Sequence, residues 1–337
     1  MHIKSVLCIS AALAGAASAL NLPKFSQHDI DSGSALAALN KIATQNAMKA
    51  FKGKCQESDY KALFLPWHRY LLHTYEQQLA ACGYKGPIPY WEWGFDTEED
   101  LSKSPMFDGS DASLGADGDR VPHEGYNMSY DPLARSVPGC PFGGLETHLG
   151  PVLLTDWGTS TYTSVENPRL KNTRCLKRDL NSVLLHKHAN FRNTTNLILR
   201  SNELDIFQAA LVRAASLEAV THSYDPRFAP FVGDQGVHFG GHVSIGGDPA
   251  GDVFLSSGDP AFYLHHGQID RVWWIWQNLD PANRLYNVSG TPTFLNSPPT
   301  ADVTVDESIV VHPDFPPVVI KDFMNTLTGD PLCYVYI

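Results

Sequence analysis

Two pairs of histidines, set in stretches that are otherwise apolar, constrain this chain more than any other feature. His238 and His242 stand four residues apart, and His265-His266 lies inside the apolar run that follows Asp259-Pro260. On a helix, residues at i and i+4 share a face, so a single metal ion can reach both imidazoles of the first pair. An imidazole within an apolar helix needs a partner, because burying an unpaired polar group costs free energy. A hydrogen-bonded core histidine meets that need for one isolated residue, whereas two pairs on two helices turn the reading toward a metal. Neutral imidazoles with no thiolate suit copper or zinc, and no Cys-x-x-Cys pair occurs that would argue for a thiolate zinc site.

The segments that carry these residues read as helices. Asp259-Pro260 is a cap followed by a first-turn proline, opening a helix that runs from Ala261 to about Asn278. Pro66 serves the same purpose for a helix carrying Leu71, Leu72, Tyr75 and Leu79 as an apolar stripe and ending at Cys82-Gly83, which puts His68 in its first turn. Arg69 beside it reads as a solvated or carboxylate-paired surface residue. Residues 29–52 and a stretch around 201–220 are also helical in pattern. The segment from Pro87 to Trp93 is too rich in proline and aromatics for a helix and reads as a loop packed on the core. Residues 95–175, rich in Gly, Pro, Asp and Ser, read as a long irregular excursion, and residues 290–320 as short strands or loops. No repeat or low-complexity linker divides the chain, so one domain is expected.

The N-terminus sets the expected compartment. Lys4, an apolar stretch from Val6 to Ala16 and then Ala17-Ser18-Ala19 read as a secretory signal over residues 1–19, too short to span a bilayer. Three glycosylation sequons, at Asn127, Asn193 and Asn287, fit an exported, extracellular protein. With 25 basic against 36 acidic residues the net charge is −11, which argues against nucleic acid or anionic lipid as a partner. Removing Cys8 with the signal leaves Cys55, Cys82, Cys140, Cys175 and Cys333, an odd number for a compartment that permits disulfides.

Three stretches carry a family resemblance: FLPWHRYLLHTYEQQL, CGYKGPIPYWEW and GDPAFYLHHGQIDRVWWIWQ. They resemble the signatures of fungal short tyrosinases and catechol oxidases, and Tyr334-Val335-Tyr336 resembles the tyrosine motif that closes that family's catalytic domain. The similarity runs over about residues 60–337, with the domain itself placed at 59–337 and a helical segment at 20–58 before it. It implies a mainly α fold, a four-helix-bundle core with long irregular loops, holding two coppers that act on dioxygen. The implied reaction is oxidation of o-diphenols, and in some members monophenols, to o-quinones. His238, His242 and His266 match the ligands of the second copper, His265 matches a neighbour that orients rather than binds, and His68 matches one ligand of the first copper. Phe254 matches an aromatic gate over the metals, and Asp270-Arg271 an acidic–basic pair after the last ligand. Phe239 follows His238 where monophenol-hydroxylating members often carry Asn; it has no hydrogen-bonding group, which favours diphenols.

The resemblance fails at one place. Where the family has a histidine nine residues before His68, this chain has Asp59, and it passes from Cys55 almost directly into Tyr60. A block is therefore inferred to be absent at about residues 55–59, taking with it one bundle helix and two imidazoles of the first copper site. Nearby, His73 projects from a different side of the helix than His68, and His28 lies in a segment resembling the family's start. The resemblance also suggests disulfides Cys140–Cys175 and Cys55–Cys333, with Cys82 left over. Four readings follow: a dicopper oxidase, a mononuclear-copper or inactive relative, a dioxygen carrier, and a structural protein with satisfied core histidines.

Overall fold

The computed structural model describes residues 20, 22–50, 64–98, 100–116, 145–147, 172–174, 176, 178–212, 231, 235–247, 249–251, 256–292, 298–328 and 331–337. The helices are α1 (Gln27–Asp31), α2 (Ser34–Ala50), α3 (Phe64–Ala81), α4 (Ser182–His188), α5 (Phe191–Arg200) and α6 (Leu204–Leu211). They continue with α7 (Val237–Ile245), α8 (Ala261–Leu279), α9 (Pro281–Arg284) and α10 (Ile320–Met324). Two short antiparallel ribbons accompany them: β1 (Leu145–Thr147) with β2 (Asn172–Arg174), and β3 (Ser308–Ile309) with β4 (Val318–Val319). The fold is mainly helical with long irregular connections, as the sequence implies.

The central element is α8. It is enclosed on every side, and every residue except Tyr263 and Leu264 is buried, as expected of a helix at the centre of a core. Helices α2, α3, α5 and α7 all pack on it. Helix α2 contributes Ala35, Leu36, Leu39, Ala43 and Ala47, a stripe at helical spacing. The three tryptophans Trp273, Trp274 and Trp276 fill the interior, and the indoles of Trp274 and Trp276 donate to Thr326 Oγ1 and the Ser201 carbonyl. Asp259 caps α8 by accepting from the Ala261 amide at 2.8 Å, and Arg178 clamps that carboxylate through two nitrogens at 2.8 and 2.9 Å with both side chains fully buried.

Two readings of α3 change. Its fully buried residues are Leu65, Pro66, Arg69, Tyr70, Leu72 and Thr74, while Leu71, Tyr75 and Leu79 are only half-buried. Arg69 is no surface residue. It lies at 1 % exposure, bonded to Asp270 at 2.6 Å, to the carbonyls of Phe323 and Met324, and to Gln277, with its guanidinium 3.9 Å over the Trp273 ring. Asp270 and Arg271, adjacent on α8, are each buried and each take a different partner. Asp270 takes Arg69 on one oxygen and the hydroxyls of Tyr334 and Tyr336 on the other, while Arg271 pairs with Glu92 at 2.6 Å. The helix read around 201–220 is observed as Leu204–Leu211, and residues 213–220 lie outside the described part.

Short helices α4 and α5 each have an asparagine cap: Asn181 accepts from the Leu184 amide and Asn190 from the Asn193 amide. Asn193 itself donates both amide hydrogens to the carbonyls of Lys187 and His188, so this sequon residue ties α5 to α4, whereas Asn287 is exposed. Cys82 is an exposed free thiol at the end of α3 and Cys333 is exposed near the C-terminus; Cys55, Cys140 and Cys175 lie outside the described residues, as do residues 1–19, Asp59, Asn127 and Phe254.

Candidate metal centre

Helix α7 is short, and glycines at both ends and in the middle allow it to sit where it does. Gly236 precedes it at φ 78°, where a Cβ would collide with the carbonyl of Leu211. A Cβ at Gly240 would enter His188, and one at Gly241 would enter the ring of His265. The helix therefore lies flush between α4 and α8. Its end is fixed by the amides of Asp179 and Asn181, which donate to the carbonyls of Ile245 and Ser244 at 2.9 and 2.8 Å.

That placement turns His238 and His242 toward His266 on α8. Nε2 of His242 lies 3.2 Å from Nε2 of His238 and 3.1 Å from Nε2 of His266. Nε2 of His242 can donate to or accept from only one of these neighbours, so hydrogen bonding alone leaves the other nitrogen without a partner. A cation about 2 Å from each nitrogen sets separations of this size and gives all three a partner. Three imidazoles with no carboxylate or thiolate among them fit copper. The rings are suited to it: burial pushes the pKa of His242 down to about 4, and those of His238 and His266 well below the ordinary 6.5, leaving neutral donors at pH 7. His242 is also hydrogen-bonded to the backbone of Ala250, which fixes its ring.

His265 belongs to the same cluster of four, but both of its nitrogens are engaged elsewhere. Trp93 donates its indole N–H to Nδ1 at 3.1 Å, and Nε2 faces the His238 carbonyl at 3.0 Å. Phe239 is half-buried on the turn after His238.

His68 reaches the cluster without joining the convergent nitrogens. Its ring stacks on His266, 4.1 Å between centres and 13° between planes, and its Nδ1 bonds the Phe64 carbonyl at 2.7 Å. Burial pushes its pKa down to about 4, with the Phe64 bond opposing and His242 adding to the shift. Phe64 and Phe262 complete an apolar wall, Phe262 stacked on His266 at 4.1 Å and Phe64 edge-on to His238 at 5.1 Å. Neither other nearby histidine approaches His68: His73 bonds Gln77 and packs toward Phe323, and His28 is exposed on α1. Residues 51–63, which precede α3, contain no histidine. Sequence reasoning missed Trp93, Ala250, Phe64 and Phe262. The last two flank the matched histidines, in FLPWH and in AFYLHH, and that adjacency could have flagged them.

Comparison with known proteins agrees with this geometry. The chain is 33% identical over 254 residues to a tyrosinase-like protein of Emericella nidulans, covering 69% of this chain and 62% of that protein, less than two thirds of its length. It is 30% identical over 287 residues to tyrosinase P of Aspergillus terreus, covering 81% and 74%. An N-acetyl-6-hydroxytryptophan oxidase of Emericella nidulans is 31% identical over 295 residues, covering 82% and 75%. Among solved structures, a mutant polyphenol oxidase from Thermothelomyces thermophila superposes with a TM-score of 0.65 at 28% identity, over 93% of this chain and 87% of that one. The family model for the common central domain of tyrosinase matches residues 33–279. On the histidine geometry and these matches together, the chain belongs to the tyrosinase family of copper oxidoreductases.

Proposed function

We propose that this fold serves copper-dependent oxidation of o-diphenols to o-quinones with dioxygen, and that His238, His242 and His266 hold the copper. The observation that carries this reading is the convergence of three desolvated imidazoles, with Nε2 of His242 3.2 and 3.1 Å from Nε2 of His238 and His266. Bound copper supplies the one-electron exchange that neither a phenol nor dioxygen achieves with protein side chains alone. The protein's part is orientation and exclusion of water. The backbone of Ala250 sets the His242 ring, Phe64 and Phe262 shield the His238 and His266 rings, and Phe254 is the proposed gate. Phe239 offers no group that could hold a water to take a proton from a monophenol, so diphenols are the preferred substrates. Among the described residues no helix is long and apolar enough to cross a membrane, and the leader at residues 1–19 supports export.

A second reading is favoured by the state of His68. Its Nδ1 is bound to Phe64, its ring lies on His266, and neither His28 nor His73 comes to it. In this form the chain holds one copper, not two, and turns over catechol weakly. A version carrying a first-site segment before α3 is the competent oxidase. The test pairs the copper-to-protein ratio of the purified chain with quinone formation by both versions. One copper and slow turnover, rising to two and fast turnover on restoration, is expected. A ratio of zero, with copper supplied, sinks the metal assignment; equal turnover sinks the one-copper reading.

A further inference from the structure

We infer that Trp93 is a positioning residue for the metal centre, acting through His265 on His238. This rests on the copper assignment above and deepens it. Trp93 is fully buried, in the short turn Trp93–Phe95, far in sequence from either histidine. An indole N–H can only donate, so its 3.1 Å bond requires an acceptor lone pair on His265 Nδ1. A neutral imidazole that accepts at Nδ1 carries its proton on Nε2. That proton points at the His238 carbonyl, 3.0 Å away, which can only accept. The two contacts therefore select the same tautomer. The opposite tautomer would set N–H against N–H at Trp93 and lone pair against lone pair at His238.

Two consequences follow. With both nitrogens committed, His265 has no lone pair to offer a cation, and the centre has three ligands although four imidazoles lie together. The Nε2–H also pulls on the carbonyl of the ligand-bearing residue itself, fixing the first turn of α7 against α8. The fit needs Gly241, because a Cβ there would occupy the space of the His265 ring. The loop that carries Trp93 is in turn fastened to α8. The Trp91 amide donates to the Leu264 carbonyl at 2.9 Å, and Glu92 pairs with Arg271 at 2.6 Å. Position is thus passed from loop to Trp93, to His265, to the backbone of His238, and so to its Nε2.

The test is copper affinity measured on the full chain by competition with bicinchoninate for Cu(I), alongside urea stability. Trp91 supplies the control. It is buried in the same loop and meets the His265 ring edge-on at 6.4 Å between centres, but its indole N–H bonds Asp96 at 2.6 Å and makes no hydrogen bond to His265. Trp93→Phe should raise the copper Kd about 10-fold or more, the usual size of an outer-shell loss. Trp91→Phe should lower stability and leave the Kd unchanged. His265→Gln, whose amide can both accept from Trp93 and donate to the His238 carbonyl, should keep most of the affinity, and His265→Leu should not. Equal Kd values for the parent and Trp93→Phe overturn the inference, and so do equal losses from both tryptophan variants. If Trp93→Phe fails to fold, the His265 pair decides: equal affinity of Gln and Leu overturns it. A parent that takes no copper brings down the ligand assignment as well, so the two failures are distinguishable.

Discussion

The α7–α8 half of the molecule and the α3 half each present histidines to the same interior, with opposite results. On the α7–α8 side, three rings from two helices point their nitrogens at a common centre, and a fourth is held off by Trp93 and the His238 carbonyl. On the α3 side one ring, His68, is drawn into a stack on His266 and bonded to its own helix backbone. Burial alone does not separate them, since it depresses the pKa of rings in both halves. What separates them is the number of imidazoles that reach one point. A buried ring with convergent neighbours fits a ligand, while one without them becomes packing and satisfies its polarity locally.

The contrast is sharpest when each half is broken at its strongest contact. In α3 that contact is Arg69, which pairs with Asp270 in full burial and also bonds two carbonyls of the C-terminal segment. Arg69→Leu leaves the Asp270 carboxylate without its counter-charge and should cost about 3–5 kcal/mol, a large share of a domain's usual 5–15. A urea-unfolding midpoint checks it; a change under about 1 kcal/mol would mean the two tyrosine hydroxyls suffice to hold Asp270. In α7 the corresponding residue is His242, the ring within hydrogen-bonding distance of both other ligands. His242→Ala should abolish copper retention through a desalting column while the fold survives. Copper held as tightly as in the parent would show that the convergent nitrogens are not the site.

How much of this was legible in the sequence also divides along local and non-local lines. Helix α8 could be read because its apolarity and its Asp259-Pro260 start are local, and the i, i+4 spacing of His238 and His242 survives translation into structure. The short helices α4 and α5 escaped because they span only 7 and 10 residues, although Asn181 and Asn190 cap them and α5 buries Leu197 and Ile198 on one face. Arg69 was misjudged because its partner lies 201 residues away, and the Trp93–His265 bond spans 172. No periodicity encodes such pairings. The glycines of α7 were visible as residues, but the need for them comes from His188 and His265 on other helices.

Acid should weaken both halves of the metal-free protein for one reason. His68 and His242 each titrate near 4 when folded, against an ordinary 6.5. Between those values the unfolded chain binds protons that the folded chain refuses, so stability falls as pH drops through 6.5 and levels off below about 4. His68 alone accounts for on the order of 3 kcal/mol of that loss. Unfolding midpoints at several pH values across this window test it. A midpoint that holds steady or rises on acidification would mean these rings are not desolvated.

The smallest effect is the one that tests the comparison most directly. If His68 is packing in this chain, a ring of similar shape should replace it. His68→Phe keeps the stack on His266 and loses one hydrogen bond to the Phe64 carbonyl, worth about 1 kcal/mol. Because a phenyl ring is apolar and the site is buried, part of that loss is recovered through the lower cost of desolvation. The Phe64 carbonyl also sits in the first turn of α3, where its own helical amide partner remains. The expected outcome is copper content equal to the parent and a stability change within about 1 kcal/mol. Loss of copper in His68→Phe, with the fold intact by circular dichroism, would make His68 a ligand after all. The α3 half would then share the metal, and the difference between the two halves would be one of degree.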